Sequence, residues 1–138
     1  PAGMRMHSVT RDLAMRLAAE VVQVATAHGV VIDKIGSIPA PKYVEALTDT
    51  TVKEEVERIM AEEAPKIGTG RPSLAQDLAK GRRTEIDYLN GYVIRKGKEA
   101  GIRTPFNQMI VDLAKQVEAC VMQPMIDNIW MIMDYPPE

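Results

Sequence analysis

Apolar residues return at helical, not alternating, intervals along almost the whole chain. Ala14, Leu17, Ala18, Val21 and Ala25 mark one face of a helix that should stop at Gly29, just after His28. A connector over 30–41, punctuated by Pro and Gly, leads to a short helix expected over 43–47. Thr51 and Glu54 stand at capping-box spacing and open a charged helix whose apolar side is Val52, Val56, Ile59 and Met60. Gly68-Thr69-Gly70 breaks the chain, and Ser73 with Gln76 repeats the box at the head of a short helix ending near Gly81. Thr84 is placed to cap the next helix, with Asp87 as its cap partner. Glu85 and Asp87 would then lie in the first turn, at the positive end of the helix dipole. That helix is expected through Ile86, Leu89, Val93 and Ala100, with its stop at Gly101 and Asn90 serving packing or backbone hydrogen bonding near Gly91. Thr104-Pro105 restarts the pattern, because proline suits the first helical position. Phe106, Met109, Ile110, Leu113, Ala114, Val117 and Cys120 trace one stripe, and Pro124 should kink or break this last helix. No alternation is long enough to build a sheet and no segment repeats. The expected fold is all-α.

Composition narrows the function classes. The 138 residues suit one domain with a real core. Seventeen basic against nineteen acidic residues give a net charge of −2, which argues against nucleic acid as a partner. The apolar runs, such as 129–133, fall far short of the roughly 20 residues that span a bilayer. No basic-then-apolar leader opens the chain, so a membrane partner and secretion are not expected. Cys120 is the single cysteine, which fits a reducing, cytoplasmic setting and, on its stripe, a small buried side chain. With only His7 and His28 besides, no zinc-ligand cluster is expected, and the metal expectation is none. His28 reads as a last-turn residue and Arg82 with Arg83 as a solvated pair. The chain opens on Pro1 in place of methionine, which suggests a piece of something longer.

The densest local signature is Arg71-Pro72-Ser73-Leu74-Ala75-Gln76-Asp77, then Gly81-Arg82-Arg83-Thr84-Glu85-Ile86-Asp87-Tyr88-Leu89-Asn90-Gly91. A later block, Gly101-Ile102-Arg103-Thr104-Pro105-Phe106-Asn107, completes it. Together these resemble the C-terminal helical domain of 2-dehydropantoate 2-reductases, or ketopantoate reductases. The similarity runs from about Pro1 to Glu118, leaving 119–138 as a helical extension. It implies a helical domain of the 6-phosphogluconate dehydrogenase C-terminal-like type, with the Rossmann domain that binds NADP(H) absent from this chain. Gly68-Thr69-Gly70-Arg71-Pro72-Ser73 only echoes a phosphate loop, since it lacks a third glycine and a preceding strand.

The resemblance also implies site residues. The family's catalytic Lys, with two Asn at helical intervals after it, has no counterpart here, and Ala2 stands where the family carries a loop Asn. Ser73 matches the family's substrate-binding serine. A helix start offers a hydroxyl and free N–H groups that suit a small 2-keto acid. Ser73 read without the resemblance is a cap paired with Gln76. Glu85 matches the acidic residue that orients the catalytic Lys and meets the nicotinamide end of the cofactor, a catalytic and cofactor-binding role in one carboxylate. Read alone, it is a first-turn glutamate that stabilises a helix dipole.

Beyond the signature, Met122, Met125, Ile126, Ile129, Trp130 and Met133 form a stripe too apolar to leave in water. It either folds back or pairs with a second chain, and the resemblance favours a homodimer with Trp130 at or near the contact. The leading expectation is the substrate-binding and dimerisation part of an NADPH-dependent oxidoreductase that turns ketopantoate into pantoate. The alternatives are a reductase of another 2-keto acid and a stand-alone helical interaction module.

Overall fold

The computed structural model describes residues 7–67, 73–123 and 127–134, with 73–75, 130–132 and 134 described by their backbone alone. Its elements, in chain order, are α1 (Ser8–Ala27), a minimal hairpin of β1 (Lys34–Ile35) and β2 (Ile38–Pro39), α2 (Ala40–Glu45) and α3 (Thr50–Glu63). A 3-10 turn (Ala64–Ile67), α4 (Ser73–Ala79), α5 (Asn90–Ala100), α6 (Pro105–Glu118) and α7 (Asp127–Asp134) complete the order. The fold is all-α apart from that hairpin, whose antiparallel register pairs Lys34 with Pro39 and Ile35 with Ile38.

α1 is the hub, touching α2, α3, α5, α6 and α7. A helix surrounded in this way has no single buried face. The five positions expected to mark one (Ala14, Leu17, Ala18, Val21 and Ala25) are all only half-buried. Leu13, Met15, Ala19, Val22 and Val24 are the buried apolar residues instead. On one side of α1, Met15 and Ala19 join Ile38, Tyr43, Ala46, Val56 and Met60 in the main core. On the other side lie a smaller cluster of Ile86, Ile94, Val111 and Ala114 and a third of Leu13, Phe106 and Ile129.

Several element boundaries differ from expectation for identifiable reasons. α2 starts at Ala40, earlier than 43, because Pro41 is favourable in a first turn and the Ala40 N–H is already satisfied by Asp33 O. Asp49, not Thr51, caps α3: its Oδ1 accepts from Val52 N at 3.1 Å, and a carboxylate fills that position as well as a hydroxyl does. The helix expected from Thr84 begins at Asn90, because Leu89 (φ −96°, ψ −93°) is not helical and 85–89 form turns. The expected stop at Gly101 holds. Its φ of 70° is left-handed, and Ile102 N reaches back to Gly97 O at 2.8 Å in a Schellman closure. Gly97 itself allows close approach, since a Cβ there would sit 2.8 Å from Ile102 O.

α6 begins at Pro105 as expected but ends at Glu118, short of Cys120. Cys120 is exposed and adopts φ 57°, with Val121 N bonded to Gln116 O, so it terminates the helix and does not extend the apolar stripe. His28 caps α1, and its Nε2 lies 2.8 Å from Lys96 O, a bond that puts the proton on Nε2. The break expected at Pro124 lies outside the described residues. Among the described residues no helix is long and apolar enough to cross a membrane.

Candidate functional site

The signature residues converge on α6. α4, which opens at Ser73, packs against it. The loop carrying Glu85 is fixed to the same helix by successive side-chain contacts. Thr84 donates twice to Glu118 Oε1, from its backbone N at 2.7 Å and its Oγ1 at 2.6 Å. Lys115 Nζ holds Asp87 Oδ2. Asn90 Nδ2 donates to Asn107 Oδ1 at 2.9 Å. Between these points Ile86 is driven into the core at 1% exposure. Positions 107, 115 and 118 share a side of α6 because they are separated by about two turns and then one turn.

These contacts correct three expectations. The cap partner of Thr84 is Glu118, not Asp87, which is paired with Lys115. Asn90 bonds a side chain rather than the backbone near Gly91. Glu85 is not in the first turn of a helix; it precedes Asn90 by five residues, so the helix dipole does not explain it. Its carbonyl accepts from Tyr88 N at 2.9 Å and Leu89 N at 3.2 Å, which folds the loop into a tight turn. Its side chain is exposed and has no hydrogen-bond or ion-pair partner among the described residues. Next to it, Tyr88, Leu89 and Tyr92 are exposed by 80%, 52% and 51%, a marked apolar surface for so short a stretch. Ser73 stands at the first position of α4, and its hydroxyl lies outside what is described. Arg82 and Arg83 are exposed, as expected.

The electrostatics favour ionised anchors. Hydrogen bonds from the Thr84 hydroxyl and then its backbone N–H hold the Glu118 carboxyl below the usual carboxylate range. The hydrogen bond from Lys115 does the same for Asp87, with smaller help from the Arg83 and Arg95 charges. Among the described residues no three His, Cys, Asp or Glu side chains gather closely enough to hold a metal ion.

One further group was not anticipated. Glu20 on α1 is 5% exposed and caps α6: Oε1 accepts from Phe106 N at 2.8 Å, and Oε2 from Asn107 N at 2.9 Å and Asn107 Nδ2 at 2.6 Å. Thr104, the position before Pro105, makes no side-chain cap bond. The available signal was a lone carboxylate in the apolar run Leu17-Ala18-Ala19-Glu20-Val21-Val22, since such a charge is seldom buried without donors waiting for it. A shallow cavity of about 590 Å³ lies elsewhere, between the end of α1 and the Gly101 turn. Gln23, Thr26, Val44 and Arg103 are among the residues that line it, and neither Ser73 nor Glu85 does.

Comparison with known proteins agrees with the signature. The 2-dehydropantoate 2-reductase of Pyrobaculum aerophilum is 36% identical over 120 residues, covering 86% of this chain and 36% of that protein. Enzymes of the same name from Streptococcus pyogenes serotype M3 and Vibrio cholerae are 40% and 30% identical, over 49% and 60% of this chain and 22% and 33% of their own lengths. The chain thus spans about a third of the length of the first of these relatives. No solved structure matches it. Residues 2–118, which include the Ser73 helix, the Glu85 loop and the helix that holds them, match the family described as "Ketopantoate reductase PanE/ApbA C terminal", and the chain belongs to that family.

Proposed function

We propose that this chain is the substrate-facing helical part of an NADPH-dependent 2-dehydropantoate 2-reductase, which reduces ketopantoate to pantoate in the cytoplasm. On this reading residues 1–118 form the family domain and 119–138 an extension. The observation that carries it is the state of Glu85: an exposed, unpartnered carboxylate on a loop held by the side chains of Thr84, Asp87 and Asn90. A side chain presented in this way, beside exposed Tyr88 and Leu89, is arranged to meet something outside the chain. In the intact enzyme it would orient an ammonium and accept a hydrogen bond from a ribose hydroxyl of NADP(H), and both are charge-assisted contacts. The free carboxylate fits that cofactor, which supplies the hydride when bound. Ser73, at the start of α4, would bind the keto acid with its hydroxyl.

The chain is also read as pairing two-fold through its C-terminal helix, with Trp130 at or near the contact. Ile129 and Met133 already turn inward onto Leu13 and Phe106, so a pairing contact would use the sides of α7 that these two leave.

The test is kinetic. In the full-length reductase of which this chain is read as a part, Glu85→Gln should lower kcat/KM for ketopantoate by about 10²-fold or more, in the range of a lost charge-assisted contact near the reacting atoms. The 138-residue chain by itself should not oxidise NADPH with ketopantoate, since the family's catalytic Lys has no counterpart here. Full activity of Glu85→Gln would return that carboxylate to the role of a surface charge.

A further inference from the structure

We infer that Glu20, buried on α1 and remote in sequence, is a positioning residue for Glu85, acting through Asn107 and Asn90; this rests on the role proposed for Glu85. The reason is the polarity of the chain of hydrogen bonds. Both Glu20 oxygens are met by N–H donors and act as acceptors, so the Asn107 amide presents its NH2 inward, where Nδ2 meets Oε2 at 2.6 Å. That orientation turns Asn107 Oδ1 outward, and a carbonyl oxygen there requires a donor. Asn90 supplies one, with its Nδ2 at 2.9 Å. Each amide is therefore set by the group before it, and the whole relay is set by one buried acceptor group.

The far end of this relay is Asn90, the residue that follows the Glu85 turn. Asn90 begins α5, and the N–H groups just around it close the loop: Leu89 N bonds Glu85 O at 3.2 Å and Gly91 N bonds Ile86 O at 3.0 Å. At its near end Glu20 also accepts both backbone N–H groups at the head of α6, so it fixes the helix on which the other anchors, Lys115 and Glu118, are carried. Thr84–Glu118 and Asp87–Lys115 tie the entry side of the loop, Arg95 Nη1 of α5 donates to Asp87 O at 3.1 Å, and the Asn90–Asn107 bond ties Asn90 itself to α6. Cutting the relay should leave the fold standing and free the turn in which Glu85 sits.

Amide hydrogen exchange on the full 138-residue chain tests this. In Asn90→Ala, which removes only the outer link and leaves Glu20 and Asn107 bonded, Leu89 and Gly91 N–H should exchange about tenfold faster while α3 amides keep their rates. In Glu20→Gln the Phe106 and Asn107 amides should also speed up, because an NH2 group then faces donors. Val56→Ala, a loss of packing in the other core, should accelerate exchange generally without singling out the loop. If Glu20→Gln does not fold, Asn90→Ala alone decides the matter. Loop amides that keep their rates in Asn90→Ala overturn the inference. In the full-length reductase, Asn90→Ala should lower kcat more than it raises KM, and should add nothing when combined with Glu85→Gln. If the two losses multiply, the positioning of Glu85 is overturned even where the loop has loosened. If Glu85→Gln itself costs no activity, the proposed function fails, and the exchange result still reports separately on how the loop is held.

Discussion

The two sides of α1 are held by different physics. On one side Met15, Ile38, Val56 and Ala19 are at most 1% exposed and form an apolar core of ordinary kind. Some of its polar contacts sit at the rim, as with Arg58–Glu62, where both side chains are 60% exposed and the pair contributes little; others are better covered, as with Tyr43 Oη on Ile35 O and Asp12 with Lys53. On the other side the apolar cluster is smaller, and buried polar groups accompany it in two hydrogen-bonded sets, Thr84 with Glu118 and Glu20 with Asn107. Apolar burial is non-directional and tolerates small slips between helices. Hydrogen bonds are directional, so they fix a loop where burial alone would only collapse it. The difference places directional bonds around the loop of Glu85, where the proposed role needs an aimed side chain, and leaves plainer packing on the other side.

The most severe way to break this contrast is Asn107→Asp. It keeps the shape but sets one carboxylate against another at the point where Glu20 now receives an N–H, and leaves Asn90 with a charged neighbour. A cost of about 3–5 kcal/mol is expected, the range for a buried charge that loses its partner. Urea unfolding measures it, and a change under 1 kcal/mol would mean that water reaches this set freely.

Val56→Ala probes the apolar side. Two lost methyl groups and the space they leave should cost about 1–3 kcal/mol, without loosening the loop around Glu85 more than the rest of the chain. The same urea titration applies. A loss of loop order in this variant would show that the two sides of α1 are not separable.

Acidification sharpens the comparison further. Glu118 and Asp87 have folded pKa values below their ordinary ones, so the stabilisation they give is complete above the unfolded carboxylate range. It fades as pH falls below that range and is gone beneath the depressed folded values. The loop 84–90 should therefore loosen in acid, as judged by amide exchange or by chemical shifts of Thr84 and Ile86. The tie of α1 to Lys53 of α3 should weaken too, because the burial that raises the Asp12 pKa is outweighed by hydrogen bonds from Lys53 and Arg16, which hold it low. Added salt should weaken Asp87–Lys115, where each side chain is 39% exposed, more than Thr84–Glu118, whose carboxylate is 13% exposed. A loop that keeps its exchange rates across the titration would count against the Glu118 and Asp87 anchors.

The smallest expected stability effect belongs to the residue of greatest functional interest. Glu85→Gln touches no partner among the described residues, so its melting temperature should stay within the range of a surface substitution, about ±0.5 kcal/mol in stability. A large drop would reveal a structural contact for this carboxylate and weaken its proposed role.

The range of the forces involved sets how much of this is legible in the sequence. Helical period, Pro105 at a first turn and Gly101 at a stop are local, and each holds in the structure because neighbours in sequence decide it. The signature around Ser73 and Glu85 is equally legible, and with it the family. The start of α5 is not, because Thr84 looks like a cap until Glu118, thirty-four residues away, takes its hydroxyl and its N–H. The burial of α1 is hidden for the same reason, since one helix cannot reveal how many others will surround it. The Glu20 cap lies eighty-six residues from the nearer N–H it receives, at a helix start whose own Thr104 looks sufficient. The sequence by itself determined the helical class, local signals such as Pro105 and Gly101, and the family; tertiary structure alone decided which polar groups meet, because a hydrogen bond forms wherever folding brings donor and acceptor together, whatever their separation along the chain.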